Sequence, residues 1–410
     1  MTTLPPHRPR RSVVLSLAAV LSIAVSAPVA TADTAKVHDR RLDVLVQQDI
    51  DAGVPGVVVR VDDGRGRRTE VSRQAAWTRA DNRLSVDDQF RMGSNTKTMV
   101  ATVLLQLVAE RRLRLDDPVE RWLPGLVPNG RAITLRMMLN HTSGLADYVL
   151  DPAVLASITG QRPHTWTPEQ LLAAAAKYPP LFPPGQEHSY SNINYIALGL
   201  VLERVTGRGV ARLIQDRLVR PLGLRHTYLA VDSASRDGDR LAHGYEPDAA
   251  HLAPLLPPGV PPGVAFVGPA RGEHVDVTAL DPSWAWAAGS VVSTPRDWTR
   301  FLGALMSGRL LPAAQLAQMR TFVDDPSSGG TGRYGLGLQE YTNSCGTVWG
   351  HTGGVPGFSS QNYTDRAGRR TVSVVSTTQF GLLDPTLRAA DQKVVDAAIC
   401  VMLGKPVPAT

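Results

Sequence analysis

The sequence lacks several features that would point to other classes of protein. It has two cysteines among its 410 residues and no two histidines four positions apart, so the usual four-ligand cage of a structural zinc site is not available. No Gly-x-Ser-x-Gly stretch occurs, which counts against a Ser-His-Asp hydrolase built on a nucleophile turn. After the N-terminal segment, no stretch reaches the roughly 18 apolar residues that a membrane span needs.

The charge balance is mild. The formal net charge of +6 falls to +3 when the first 32 residues are left out, because three arginines and no acidic residue lie there. No basic run or pattern of aromatic platforms accompanies this charge, so we do not expect nucleic acid as a partner. The weak positive charge is compatible with work beside an anionic cell wall.

The N-terminus has the pattern of an export signal over residues 1–32. Arginines precede an apolar run at 13–25, which is too short for a membrane span, and small residues that suit cleavage follow at 30–32. We therefore expect a mature chain that begins at Asp33 and a secreted or extracytoplasmic protein. The pair Arg10-Arg11 leaves the twin-arginine route open beside the general one. No cysteine follows the apolar run, so no lipid anchor is expected.

The two cysteines, Cys345 and Cys400, are expected to form a disulfide, because a pair in an exported protein is more often bridged than free. Closing about 55 residues would stabilise the fold by about 4 kcal/mol in the chain-entropy account. Two buried free thiols are the alternative.

Hydrophobic periodicity predicts strands at both ends of the chain and helices between them. A helix is predicted over 37–52. Strands are predicted at 57–61, 69–71, 347–349, 358–363 and 371–376, and a last helix from Asp384 to Leu403. We therefore predict an α/β domain over 33–405, in which both chain ends build one antiparallel sheet. A mostly helical subdomain, roughly 98–285, is inserted between them.

Capping signals mark two of the internal helices. Thr167-Pro168-Glu169-Gln170 precedes a helix at 171–177, and Thr294-Pro295 begins another that runs through Leu305. The proline- and glycine-rich stretch 251–282 is interpreted as a surface loop and not as a linker between domains.

Ser94 and Lys97 are the first residues that suggest chemistry. A serine hydroxyl is a poor nucleophile unless a base lies within hydrogen-bond reach. These two residues are three apart at the start of a predicted buried helix, so they share one face, and a desolvated lysine can take the serine proton. The alternative is a capping serine beside a solvated lysine.

Two more polar groups have the same chemical character. Tyr190-Ser191-Asn192 opens a predicted helix at 193–205, and a phenol near a lysine can act as acid or base. A second Tyr-x-Asn, at 341–343, is interpreted as a loop. The third group is His351-Thr352-Gly353-Gly354, at the end of a predicted strand, where two glycines let a substrate backbone approach closely. A packed core histidine is the alternative for His351.

Ser-x-x-Lys, Tyr-x-Asn and His-Thr-Gly in this order resemble the motifs of the serine penicillin-recognising family. The stretches LNHTSGL (139–145), SYSNINY (189–195) and ALMSGRLLPAAQLAQM (304–319) are similar to one branch, the secreted actinomycete D-alanyl-D-alanine carboxypeptidase/transpeptidase, a relative of class C β-lactamases. The resemblance covers nearly all of the mature chain, including both cysteines. It implies a β-lactamase/transpeptidase-like fold and no metal or cofactor.

The resemblance implies a role for each site residue. Ser94 is acylated, Lys97 and Tyr190 share the proton transfers, and Asn192 holds the amide on the acyl side of the substrate. His351 supplies a polar or positive group beside Tyr190.

The remaining implied roles concern substrate binding. The backbone N–H groups of Ser94 and Gly354 form the oxyanion hole. Thr352 and Gly353 contact the substrate, and Thr352 binds the carboxylate of the substrate. Trp284 matches an aromatic wall of the cleft, with a core tryptophan as the alternative.

One position departs from the branch. After YGLGL the carboxypeptidase has an arginine that grips the terminal carboxylate, whereas Gln339 stands here. A neutral amide cannot make the bidentate pair of an arginine. Arg333 is a nearby candidate substitute.

The resulting expectation is an exported serine carboxypeptidase of the D-alanyl-D-alanine type, monomeric, acting on cell-wall peptides and acylated by β-lactams. The alternatives are an esterase, a D-amino-acid amidase or peptidase, or a β-lactamase on the same scaffold. A penicillin-binding protein that acylates without turnover is less favoured, because the sequence keeps every catalytic group.

Overall fold

The computed structural model describes residues 1–2, 30–232 and 240–407. The predicted leader falls almost wholly on residues 3–29, outside the described residues, so the leader and the export route stay predictions. None of the helices in the described ranges is long and apolar enough to cross a bilayer.

Two strands follow the first helix, and strands are most frequent in the C-terminal third of the chain. In the described ranges they are β1 (Gly56–Asp62), β2 (Arg68–Gln74), β3 (Phe90–Arg91), β4 (Tyr228–Leu229), β5 (Tyr245–Pro247), β6 (Ala270–Arg271), β7 (His274–Asp276), β8 (Val291–Ser293), β9 (Val323–Asp324), β10 (Gly332–Tyr334), β11 (Gln339–Asn343), β12 (Gly346–Val355), β13 (Phe358–Thr364) and β14 (Thr371–Ser376).

Helices fill the middle of the chain and both of its ends. They are α1 (Ala30–Ala52), α2 (Thr96–Ala109), α3 (Leu135–Leu139), α4 (Pro152–Ile158), α5 (Pro168–Ala175), α6 (Ile193–Thr206), α7 (Val210–Ile214), α8 (Arg220–Leu222), α9 (Ala249–Leu252), α10 (Trp286–Gly289), α11 (Pro295–Met306), α12 (Ala313–Met319) and α13 (Pro385–Leu403). A π-helical segment, Gln215–Val219, joins α7 to α8.

Eight strands form one antiparallel sheet in the order β2-β1-β14-β13-β12-β11-β10-β9. The first two strands of the chain therefore pair with the last one, and β1 aligns with β14 over six residues. This arrangement confirms the predicted α/β fold with one sheet from both chain ends. The helices α2 to α10 lie between those ends in sequence. Helices α3 to α9 fall within the predicted subdomain, roughly 98–285, whereas α2 begins just before it and α10 follows it, and the subdomain boundary stays a prediction.

The two faces of the sheet bury different sets of apolar side chains. One face packs against α1 and α13 through residues such as Val59, Val374 and Ile399. The opposite face packs against α11 and the helices around α2 and α6. Eleven of the fourteen residues of α2 are buried, so this helix is the axis of the main core and keeps its polar side chains from water.

Most sequence signals have the structure they predict, with two differences. Thr167 makes the predicted capping box, and Thr294 accepts a hydrogen bond from the backbone of Asp297 to begin α11. The prediction of a loop at 341–343 is wrong, because this segment is part of β11 and pairs with β12. The 251–282 stretch contains the short strands β6 and β7, which form a three-stranded sheet with β5 in the order β5-β7-β6.

The disulfide prediction is confirmed. Cys345 and Cys400 are bonded, with their Cα atoms 5.3 Å apart. The bond ties the turn before β12 to α13, on the face of the sheet opposite α2. It therefore holds the C-terminal helix against the strand that carries the His-Thr-Gly motif.

Candidate active site

Ser94 lies in a single 3₁₀ turn, Gly93–Asn95, that leads into α2. Gly93 has φ +52°, a value that favours glycine, and a Cβ there would lie 2.6 Å from the backbone nitrogen of Gly354. The turn can therefore approach β12 closely. It places the half-buried Ser94 beside the strand edge that carries the two glycines.

Lys97 lies one turn further along and has no exposure to solvent. Its Nζ lies 3.0 Å from Ser94 Oγ, 2.7 Å from Asn192 Oδ1 and 2.8 Å from the carbonyl oxygen of Ala288. Burial lowers the pKa of Lys97 to about 7, and the charge of Asp147 partly opposes this effect. The amine is therefore partly uncharged at neutral pH and can accept a proton from Ser94.

The Ala288 carbonyl belongs to α10, whose backbone is held in an uncommon conformation. Trp286, at the start of that helix, has φ +29°, which non-glycine residues rarely adopt. Its ring packs on α6 at Gly199, where a Cβ would lie 2.7 Å from the indole. This close packing fixes the short helix whose carbonyl contacts Lys97.

Tyr190 is the third member of the cluster. The Lys97 Nζ lies 4.8 Å from the centroid of its ring. The Tyr190 hydroxyl is buried and makes no well-aligned hydrogen bond with any described residue. The Ser94 side chain is nevertheless close enough to lower the pKa of Tyr190. Burial outweighs this and raises that pKa above its usual value, so the phenol carries its proton and is placed as a donor.

Asn192 is oriented by Asp147, which sequence reasoning missed. Asp147 Oδ2 accepts hydrogen bonds from the Asn192 backbone N–H at 3.0 Å and from Nδ2 at 2.8 Å. The amide oxygen is left to face Lys97. Asp147 follows the LNHTSGL stretch, which supported the resemblance but was assigned no role.

His351 is buried and uncharged. Its Nδ1 contacts the carbonyl oxygen of Thr352 at 2.5 Å and its Nε2 lies 2.7 Å from the hydroxyl of Tyr334, which therefore donates to it. Burial and the nearby Lys97 lower the pKa of His351 to about 3. Of the two expected characters, polar or positive, the neutral polar one fits, and its ring centroid lies 6.4 Å from that of Tyr190.

The glycines of β12 let the strand and the serine turn meet. A Cβ at Gly353 would clash with the carbonyl oxygen of Met92. Gly354 is exposed, and its N–H lies next to Gly93, the neighbour of Ser94. The two backbone groups expected to form an oxyanion hole are thus brought to the same strand edge.

A family model described as Beta-lactamase matches residues 41–396. The chain belongs to this β-lactamase family.

The names of individual relatives indicate different activities. Esterase EstB of Burkholderia gladioli is 29% identical over 297 residues, which cover 65% of this chain and 74% of that protein. The Bacillus subtilis protein PbpX, whose name makes it a candidate penicillin-binding protein, is 26% identical over 293 residues, which cover 71% of this chain and 62% of PbpX. A crystal structure of a D-stereospecific amidohydrolase from Streptomyces sp. is 37% identical, with a TM-score of 0.73, and the match covers 89% of this chain and 98% of that one.

The β-lactamase family membership makes the chain a serine hydrolase of the β-lactamase/transpeptidase superfamily. The structure brings together Ser94, Lys97, Tyr190, Asn192 and His351, the five residues that the sequence motifs single out. Their individual roles stay predictions.

The predicted substrate-binding residues differ in their surroundings. Gln339 Oε1 accepts the backbone N–H of Thr352 at 2.8 Å, so this side chain is fixed beside the His-Thr-Gly segment. Arg333, the candidate substitute cation, pairs with Glu340 at 2.8 Å. Trp284 is 9% exposed and belongs to the main core, where it also lines a small cavity with Val355, the residue after Gly354. Its role as a cleft wall stays a prediction.

One group of described residues has the donor set of a metal site, but it lies outside this cluster. The ligand atoms of Asp81, His243 and Asp276 all lie within 4.8 Å of one another. Arg271 donates to both oxygens of Asp81, and His243 pairs with Asp276 at 2.7 Å. An arginine at that position opposes a cation, so we assign no metal to this group.

Proposed function

We propose that this protein is an exported serine amidohydrolase that cleaves the bond after a D-residue. The proposed substrates are cell-wall peptides of the D-alanyl-D-alanine type, and β-lactams are proposed as acylating agents. The observation that carries the chemistry is the contact of a buried Lys97 amine with Ser94 Oγ at 3.0 Å. The D-configuration and the peptide class rest on similarity, to the carboxypeptidase branch in sequence and to the Streptomyces amidohydrolase in structure.

The proposed reaction has two steps through an acyl-enzyme. Ser94 Oγ attacks the substrate carbonyl carbon while uncharged Lys97 takes the hydroxyl proton. The C–N bond then breaks, and the leaving amine receives a proton from Tyr190. The proton that Lys97 took from Ser94 then moves to Tyr190. A water molecule attacks the ester on Ser94 by the reverse proton path and releases the acid.

The backbone supports charge on the carbonyl oxygen during both steps. The N–H groups of Ser94 and Gly354 would hold the oxyanion, and each such donor is worth about 3–4 kcal/mol of transition-state stabilisation. Export is supported by the leader pattern and by the disulfide, which suits an oxidising compartment. A monomeric state is part of the same proposal.

A D-amino-acid amidase or an esterase is the second candidate, and the surroundings of Thr352 favour it. Gln339 and His351 are uncharged there, and Arg333 is paired with Glu340. These three residues offer a free carboxylate no cation, so an amide or ester end should be accepted as readily as an acid.

The test is a panel of four substrates: an acyl-D-Ala-D-Ala peptide, a D-alanine amide, nitrophenyl butyrate and nitrocefin. We expect turnover of the peptide or the D-amide, loss of that turnover in Ser94→Ala, and little action on the L-enantiomers. A burst with fluorescent penicillin that is followed by no turnover of any substrate would instead indicate a binding protein. Hydrolysis of the ester alone would replace the amidohydrolase proposal with the esterase.

A further inference from the structure

The carboxylate of Asp147 holds Asn192 by two bonds to one oxygen. Oδ2 accepts both the backbone N–H and the side-chain Nδ2 of Asn192, at 3.0 and 2.8 Å. Oδ1 accepts the backbone N–H of Val149 at 3.3 Å, which fixes the carboxylate at the start of the following 3₁₀ turn. The carboxylate is therefore anchored on one side and grips the amide on the other.

This grip determines which end of the Asn192 amide faces the lysine. A carboxylate accepts hydrogen bonds and cannot donate them, so Nδ2 must point to Asp147 and Oδ1 away from it. Oδ1 lies 2.7 Å from Lys97 Nζ, and Nζ lies 3.0 Å from Ser94 Oγ. A continuous chain of hydrogen bonds thus runs from Asp147 to the serine.

Asp147 also places a negative charge behind the lysine. Several other titratable groups surround Lys97, and they come from four parts of the chain: Tyr190, Tyr195 of α6, His141 and His351 of β12. The two tyrosines have raised pKa values and the two histidines lowered ones, because all four are buried. All four are therefore uncharged near neutral pH. Burial also raises the pKa of Asp147, and the hydrogen bonds from Asn192 and Val149 and the charge of Lys97 oppose this rise. The carboxylate form of Asp147 is the charge that raises the pKa of Lys97.

We propose that Asp147 is a positioning residue for proton transfer: it holds the Asn192 amide with its oxygen toward Lys97, and it sets the pH range in which that lysine works. It reaches the serine through Asn192 and Lys97, and it belongs to none of the three motifs in the sequence. The inference rests on the proposed function, because it takes Lys97 as the base that activates Ser94.

The test compares the pH dependence of kcat/KM for nitrophenyl butyrate between pH 5 and 9. Wild-type kcat/KM should fall below about pH 7, where Lys97 is protonated. Asp147→Asn removes the negative charge and should move this acidic limb down by about one pH unit, the low end of what a neighbouring opposite charge does. It should also lower the plateau by about tenfold, because the Asn192 amide is no longer fixed.

The matched control is Asp151→Asn. Asp151 is a buried carboxylate that, like Asp147, accepts backbone N–H groups at the start of a helical turn, here those of Ala153 and Val154. It pairs with Lys177 and does not contact Asn192. This variant should lower the melting temperature and leave the acidic limb where it is in the wild type. Asp147→Glu keeps the charge and should restore the limb. If Asp147→Asn does not fold, Asp147→Ser takes its place. Serine keeps an uncharged acceptor, so the same displacement of the acidic limb is expected.

An acidic limb that coincides in the wild type, Asp147→Asn and Asp147→Ser would overturn the inference, as would an equal displacement in Asp151→Asn. Ser94→Ala separates the two proposals. If Ser94→Ala keeps its activity, the proposed function fails. If it loses activity while Asp147→Asn behaves as the wild type, the inference about Asp147 fails alone.

Discussion

Gln339 allows the substrate's leaving end to be tested directly. Its amide oxygen holds the Thr352 N–H at 2.8 Å, so the side chain is already fixed beside the segment expected to bind a terminal carboxylate. Replacing it by arginine, Gln339→Arg, adds a cation at that place. It also removes the acceptor for the Thr352 N–H.

The two effects have opposite signs and different sizes. A hydrogen bond between a guanidinium and a carboxylate contributes about 1.5–3 kcal/mol, which corresponds to about 10- to 150-fold in kcat/KM. Loss of the bond to Thr352 costs about 0.5–1.5 kcal/mol and should affect all substrates equally. The ratio of activity on the free acid to activity on its amide should therefore rise by at least about tenfold.

The assay compares kcat/KM for an acyl-D-Ala-D-Ala peptide and the same peptide with an amidated C-terminus. Gln339→Met is the matched control, because it removes the acceptor without adding charge, and it should lower both rates together. A wild type that already prefers the free acid by about a hundredfold, with no change in Gln339→Arg, would refute the reasoning and assign the carboxylate to another cation.

Two further predictions concern stability. Both side-chain oxygens of Asp49 are buried without a described hydrogen-bond partner, and burial with the nearby Asp391 raises its pKa to about 8. Because this folded-state pKa lies above the unfolded value, wild-type stability is lost as pH rises from about 4 to about 8. In urea unfolding, the stability of Asp49→Asn relative to the wild type should therefore rise by about 4 kcal/mol between pH 5 and pH 9, since the loss is about 1.4 kcal/mol per pH unit up to pH 8. An equal difference at both pH values would contradict this. Removing the disulfide by Cys345→Ser with Cys400→Ser should cost about 4 kcal/mol, and free-thiol titration of the native wild type should find no reactive thiol.

The parts of the fold that local chemistry decides could be predicted from the sequence. The Thr167 capping box and the Thr294 cap depend on residues close together in the chain. The β-branched run at 57–61 likewise indicates a strand by its own composition, whichever strand it pairs with. The 341–343 segment could not be predicted in this way. The segment becomes a strand because it pairs with β12 in a hairpin, with Asn343 opposite Gly346. A polar Tyr-x-Asn segment shows no β-branched or alternating pattern that would indicate this pairing.

The same limit applies to the candidate active site. The three motifs identify Ser94, Lys97 and Asn192 because their spacing is readable. The charge of His351 could not be read from its neighbours, since it depends on burial and on the hydroxyl of Tyr334, 17 positions away. Asp147 is 45 positions from the asparagine that it holds, so its contact has no local signal.

The central claim is that Ser94 is the nucleophile that is acylated. Intact-mass measurement after exposure to benzylpenicillin tests it most directly. The wild type should gain the mass of one penicillin, peptide mapping should place the adduct on Ser94, and Ser94→Ala should gain none. No adduct on the wild type, or an equal adduct on Ser94→Ala, would contradict the account.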